Sequence, residues 1–242
     1  MIDLRINPAL DPAILGRSLQ EKTRLQVANF LTAESASHLE RLLTGNQIWY
    51  STYNEGDLHF EVPQSELAQM SAPERAILMK NLNNGARDGF QYFFQQYYIS
   101  NAVRSGENAG HPIHVMHAFV NSQEFLDFMR ILCGAADIAY ADSFASKYVP
   151  GHFLTNHDDK HDTYNRVAAY VLSMTRGWKA DWGGNLVFYD HDTGNITEGF
   201  APAYNTLNIF LTPQPHAVTY VAPFAGTQRL SYLGWLNRAE AT

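Results

Sequence analysis

The feature that most narrows the fold is a change of pattern near residue 136. Downstream, apolar residues come in short β-rich runs parted by turn residues, and Val167–Met174, Leu186–Tyr189, Thr206–Leu211, Ala217–Val221 and Leu230–Leu236 are strand candidates. Asp192-Thr193-Gly194-Asn195 supplies a hairpin turn after the second of these. Upstream, the punctuation is helical. Ser71-Ala72-Pro73-Glu74 combines an N-cap candidate, a proline in the first turn and a glutamate that closes a capping box, and predicts an aromatic-rich helix running through Tyr98. Asn121-Ser122-Gln123-Glu124 opens a second helix that Gly134 can end, Glu34–Leu43 reads as a third, and Asn101–Gly110 as a polar surface loop. Helices first and evenly spaced strands afterwards predict an α+β protein whose β part is a sandwich or jelly roll. With no repeat and no low-complexity linker, one domain is expected over 1–242, helical to about 135 and β-rich from about 136 to 238.

Composition trims the list of functions. A chain of 242 residues, 45% hydrophobic and 13% aromatic, can fill a core. Seventeen Lys and Arg against 24 Asp and Glu leave a formal charge of −7 without a clustered basic stripe, so nucleic acid is not an expected partner. A basic protein partner or substrate would be steered favourably. The single cysteine, Cys133, cannot form an internal disulfide and sits in the apolar run Phe128–Cys133, which suits a reducing compartment. Residues 1–30 lack a signal-peptide pattern, and no run approaches the roughly 18 apolar residues of a membrane span, so a soluble cytoplasmic protein with no membrane partner is expected. No feature of the sequence fixes an oligomeric state.

Ten histidines invite a search for metal-ligand spacing. His157-Asp158-Asp159 is a His-x-Asp whose first and third side chains share a face if the segment is extended, and His216 opens another β run far downstream. Two histidines and one carboxylate make a facial set that leaves three metal positions open, as in non-haem Fe(II) oxygenases; a lone His-x-Asp is as readily a surface pair. His111, His114 and His117 recur every third residue, but Pro112 and β-branched neighbours oppose one continuous helix and no carboxylate lies nearby. The adjacent pairs His161-Asp162 and His191-Asp192 are poor chelates, because neighbours on a strand point to opposite faces.

The surroundings favour the first set. Tyr148 precedes His157 by nine residues; Arg166, Asp181-Trp182-Gly183-Gly184-Asn185-Leu186 and Pro202–Asn205 follow; Arg229 comes thirteen residues after His216, with Ser231 and Gly234-Trp235 beyond it. In this order of motifs the sequence resembles the 2-oxoglutarate and Fe(II) dependent dioxygenases of the prolyl 4-hydroxylase superfamily, closest in look to the ribosomal prolyl hydroxylase catalytic domain and its bacterial relatives. The likeness runs from about Phe30 to Leu236. It implies a double-stranded β-helix (jelly-roll) core with N-terminal supporting helices. It also implies His157, Asp159 and His216 as Fe(II) ligands, and Arg229 as the grip on the distal carboxylate of 2-oxoglutarate. Tyr148 and Ser231 would assist at that carboxylate, Leu186 and Trp235 would line the co-substrate pocket, and Arg166 and Trp182 would be substrate contacts. Relatives of the collagen type have Lys where this chain has Arg229, and the planar guanidinium is the better fork for a carboxylate.

The implied reaction hydroxylates an unactivated C–H bond with O2 and 2-oxoglutarate as co-substrates, releasing succinate and CO2, with ascorbate as a stimulant. A prolyl residue in a protein or peptide is the expected substrate. A free amino acid or other small metabolite is the alternative, and a non-catalytic metal and 2-oxoglutarate sensor or a hydrolytic Zn site stands behind it. The aromatics of Phe90–Tyr98 fit a peptide groove, or equally a helix packed on a sheet, which is the plainer reading. Trp178 is read as cover for a sheet edge, and Gly183-Gly184 as a tight turn or a functional loop.

Overall fold

The computed structural model describes residues 3–45, 47–160 and 165–239. Its helices are α1 (Pro12–Lys22), α2 (Ala33–Thr44), α3 (Gln64–Gln69), α4 (Ala72–Asp88), α5 (Ile99–Ser105), α6 (Val115–Val120) and α7 (Gln123–Cys133). Its strands are β1 (Arg24–Ala28), β2 (Tyr50–Glu55), β3 (Leu58–Pro63), β4 (Tyr92–Tyr97), β5 (Ile138–Ala141), β6 (Phe144–Tyr148), β7 (Phe153–His157), β8 (Arg166–Met174), β9 (Leu186–Tyr189), β10 (Ile196–Phe200), β11 (Tyr204–Leu211), β12 (His216–Val218) and β13 (Arg229–Arg238).

The helix caps read from the sequence are the ones that form. Ser71 and Glu74 exchange hydrogen bonds in a capping box that starts α4. Ser122 caps α7, which ends at Gly134 with φ +62°, a left-handed conformation that glycine adopts without a Cβ penalty. α4 stops at Asp88, however, and does not run through Tyr98. From Tyr92 the side chains alternate: Tyr92, Phe94 and Gln96 face inward, while Phe93, Gln95 and Tyr97 face the other way. Period two with aromatics is a strand pattern, and here it outweighs the helical propensity of the two glutamines. The loop expected at Asn101–Gly110 is partly helical, since α5 extends to Ser105, and the strand expected at Ala217–Val221 is shorter, ending at Val218.

All thirteen strands join one antiparallel sheet along the path β1-β11-β8-β13-β6-β4-β7-β12-β9-β10, with β2 and β3 extending β4, and β5 pairing β13. The path folds back on itself into two layers, the jelly roll predicted from the spacing of the downstream runs. The first half of the chain is not purely helical, since β1 to β4 lie within it and complete the sheet. Arg24 on the first strand of the path donates to Glu198 (2.6 Å) and Thr197 (3.0 Å) on the last, which nearly closes the barrel. A large core lies between the helices and the outer face of the sheet, including Leu39 and Leu43 of α2, Met129 and Leu132 of α7, and Leu207 and Ile209 of β11. Tyr232 on β13 reaches through it to donate to the Leu39 carbonyl of α2 (3.1 Å). A smaller cluster, Ala169, Leu186, Phe188 and Phe210, lies between the two layers. No helix among the described residues is long and apolar enough to cross a membrane.

One backbone approach sets the seating of β13. A Cβ on Gly234 would lie 2.0 Å from the carbonyl oxygen of Asp142, a group that also accepts from the buried Tyr170 hydroxyl (2.7 Å). Gly234→Ala must therefore push β13 away from the Asp142 carbonyl, and we expect a loss of about 1–3 kcal/mol, as for other overpacked interiors. Urea denaturation checks this, the midpoint falling while the slope is unchanged.

Candidate active site

Strand pairing brings the metal-ligand candidates together. β12 lies antiparallel to β7 with His216 directly opposite His157, and their ring centroids are 4.1 Å apart. Asp159 follows two residues after β7 ends. The expectation that it shares a face with His157 along an extended segment is not how the structure does it: Asp159 has φ +61°, and this left-handed turn swings the carboxylate back between the imidazoles. Aspartate is among the few non-glycine residues that tolerate the conformation. Asp159 Oδ1 lies 3.4 Å from His157 Nε2, and Oδ2 lies 3.5 Å from His216 Nε2. Donors bound at about 2.1 Å and at right angles sit about 3 Å apart, so the three groups are almost in place for one first-row divalent ion.

The tautomers suit that purpose. His157 Nδ1 is 3.0 Å from the Thr155 carbonyl and His216 Nδ1 is 2.8 Å from the Gln214 carbonyl. A carbonyl only accepts, so each Nδ1 carries the proton and each Nε2 turns a lone pair to the centre. Burial pushes the His216 pKa down to about 4, which keeps this imidazole neutral and ready to ligate. At His157 burial works in the same direction but is outweighed by the Asp159 carboxylate, and the pKa is raised. Burial would raise the Asp159 carboxyl, but its hydrogen bond to His157 and the two nearby imidazoles hold it well below the usual range. Phe210 (4.5 Å between centroids) and Phe188 (6.2 Å) wall in His216 and keep the site apolar around its three donors.

The ligands open into a cavity of about 260 Å³ between the two layers. Tyr148, Leu186, Arg229 and Trp235 line it. Arg229 begins β13 opposite Tyr148, its guanidinium carbon 4.8 Å from the centre of that ring. It is only 4% exposed and makes no ion pair among the described residues; the Tyr148 hydroxyl is its hydrogen-bonding neighbour, and Nε has no partner. Burial lowers the Arg229 pKa. An uncompensated buried cation is costly unless an anion arrives. The Ser231 hydroxyl, on the same face of β13 and 0% exposed, is likewise unpartnered, although Ser231 does not itself line the cavity. A dicarboxylic keto acid fits this arrangement: one end beside a metal with open positions, the other beside a guanidinium lacking a counter-ion.

The two expected substrate contacts are not among the residues that line the cavity. Trp182 lies outside the cavity, on a short turn where its ring meets Trp178 edge-on (5.3 Å). Arg166 does not line the cavity either, and its guanidinium sits behind Asp159. Gly183 and Gly184 form a tight turn that matters to the site. The Trp178 indole donates to the Gly183 carbonyl (2.9 Å), and Gly184, at φ +63°, leaves little room for a Cβ, which would meet Trp178, Val221 and the Arg229 Cδ at 3.2–3.4 Å. Thr52, Tyr92, Phe94, Gln96 and Ser146 also line the cavity; sequence reasoning singled out neither Thr52 nor Ser146, and weighed Phe90–Tyr98 as a groove while preferring a packed helix. The inward period of Tyr92-Phe94-Gln96 was the signal available. His111, His114 and His117 are structural: His111 caps a short 3-10 turn, His114 bonds the Tyr97 hydroxyl (3.0 Å) and His117 bonds Ser100 (2.9 Å). His191 and Asp192 are an exposed pair in a turn, and His161-Asp162 lies outside the described residues.

Comparison with known proteins agrees with this geometry. Residues 143–237 match the family model of the 2OG-Fe(II) oxygenase superfamily, a segment that holds all three ligands and Arg229. No curated protein sequence matches the chain. Among solved structures, a Pseudomonas putida prolyl-4-hydroxylase superposes with a TM-score of 0.57 at 18% identity, covering 95% of this chain and 100% of its own. A Burkholderia pseudomallei oxidoreductase of the 2OG-Fe(II) oxygenase family gives 0.61 at 13% identity, covering 100% and 98%. A Trichoplax adhaerens prolyl hydroxylase, solved with a peptide fragment of the hypoxia inducible factor oxygen degradation domain, gives 0.55 at 13%, covering 93% and 89%. At such identities the superpositions establish a shared fold, while the family match falls on the segment that carries the site. Residues 143–237 therefore carry the match to the 2OG-Fe(II) oxygenase superfamily, on a jelly-roll fold shared with prolyl hydroxylases of known structure.

Proposed function

We propose that the protein is an Fe(II)- and 2-oxoglutarate-dependent dioxygenase that hydroxylates a prolyl residue in a protein or peptide. The observation that carries this reading is a buried guanidinium without a counter-ion, Arg229, opening into the same cavity as an open-sided His157-Asp159-His216 set. The prolyl preference is supported by the fold shared with prolyl hydroxylases, one of them solved with a peptide fragment bound, and by the aromatic inward face of β4 at the cavity wall. A reducing compartment such as the cytoplasm belongs to the same reading, on the strength of the single buried thiol of Cys133.

His157, His216 and Asp159 would hold the iron, Asp159 also offsetting part of its charge. Bound together, iron, 2-oxoglutarate and O2 supply the oxidation, one oxygen atom going to the substrate C–H bond and the other to succinate as CO2 is lost. Arg229, with Tyr148 beside it, fixes the far carboxylate and so orients the keto acid. Phe188, Phe210 and Trp235 keep water from the centre. Ascorbate would serve as a reductant that restores ferrous iron after uncoupled turnover.

Three measurements test this reading. Succinate formation on incubation with prolyl peptides, free proline and other amino acids should be fastest with a peptide; preference for a free amino acid transfers the substrate assignment to small metabolites, and none with any substrate contradicts it. Asp159→Ala should abolish succinate formation, so retained 2-oxoglutarate decarboxylation would remove Asp159 from the ligand set. Arg229→Ala should weaken 2-oxoglutarate binding roughly 100-fold, or about 2–3 kcal/mol for a lost charge-assisted contact, with substrate KM little changed. Gly184→Ala, which crowds the Arg229 stem, should shift the same constant in the same direction by less.

A further inference from the structure

Asp159 is the ligand the backbone holds least naturally, since it sits outside any strand in a left-handed conformation that a residue with a Cβ rarely keeps without support. The support comes from Arg166. Its Nη1 donates to the Asp159 carbonyl (2.9 Å) and stands 4.0 Å from Oδ1, and its guanidinium carbon is stacked 3.7 Å from the centre of the Trp235 ring. Arg166 is itself anchored, opening β8 with its own carbonyl accepting from Thr212 Oγ1 (3.0 Å). One planar cation thus holds the ligand's backbone on one side while the Trp235 ring holds the cation on the other.

We propose that Arg166 is a positioning residue of the metal centre, clamping the Asp159 turn against the Trp235 ring. The proposal rests on the oxygenase reading of the site. Partners that orient a metal ligand through hydrogen bonds are worth about 10- to 100-fold in metal affinity when removed. A planar fork that donates and stacks at once has no equivalent in lysine, which keeps the charge and a donor but not the stack.

The test is Co(II) titration of the metal-free protein, read from its visible absorption, for wild type, Arg166→Met and Arg166→Lys. Arg166→Met should bind Co(II) about 10- to 100-fold more weakly with an altered spectrum, and Arg166→Lys should recover part of that loss. Wild-type Co(II) affinity in Arg166→Met overturns the proposal. If Arg166→Met does not fold, Trp235→Leu, which removes the ring that the guanidinium stacks on, carries the same test: weaker Co(II) binding is expected, and unchanged binding overturns the clamp. A wild-type protein that binds no Co(II) would instead sink the oxygenase reading itself.

Discussion

The site depends first on the pairing of β7 with β12, which sets His216 opposite His157 across two strands far apart in sequence. A slip of one residue would turn one imidazole out of the cavity, because side chains on a strand alternate. The register is secured from both sides, since β12 also pairs β9 and β7 also pairs β4. The carbonyls of Thr155 and Gln214, each two residues before its histidine, then fix which ring nitrogen carries the proton. Backbone that would otherwise serve only the sheet therefore determines the ligand chemistry, and the first half of the chain takes part through β4.

Charge is distributed along the cavity in a way that stability alone would not favour. Asp159 is buried with two imidazoles and a guanidinium near it, while Arg229 is buried at the other end with only a phenol for company. Between them the walls are largely aromatic and aliphatic. In such surroundings an opposite charge placed at either end is held far more strongly than in water. An empty site of this kind costs folding free energy, and a metal at one end and a carboxylate at the other remove the cost. The fold offsets the remainder with the large apolar core beneath the helices, the smaller cluster between the layers, and the contact from Arg24 on the first strand of the path to Glu198 and Thr197 on the last.

Much of the site was legible in the sequence, because motif order survives where overall identity does not. His157, Asp159, His216 and Arg229 stand in the order and spacing the fold demands, and the structure brings them to one cavity. The local argument for Asp159 failed, since a left-handed residue breaks the alternation that an extended segment would obey. Arg166 was legible as a residue, but its stack on Trp235 and its bond to the Asp159 carbonyl were not, because both partners are distant in space from any local pattern. The upstream strands were missed because the strand supplying Tyr92, Phe94 and Gln96 to the cavity is short and aromatic-rich and follows a well-capped helix, so the helical period was carried too far. Long-range pairing, which no local window contains, decided the matter.

If His157, Asp159 and His216 hold one ferrous ion with room left for a bidentate keto acid anchored by Arg229, anaerobic addition of Fe(II) and 2-oxoglutarate should produce a weak visible charge-transfer band. That band should saturate at one iron per chain, need both additions and be missing in His216→Ala. A folded protein that gives no band with both additions, or the same band in His216→Ala, would contradict this ligand set.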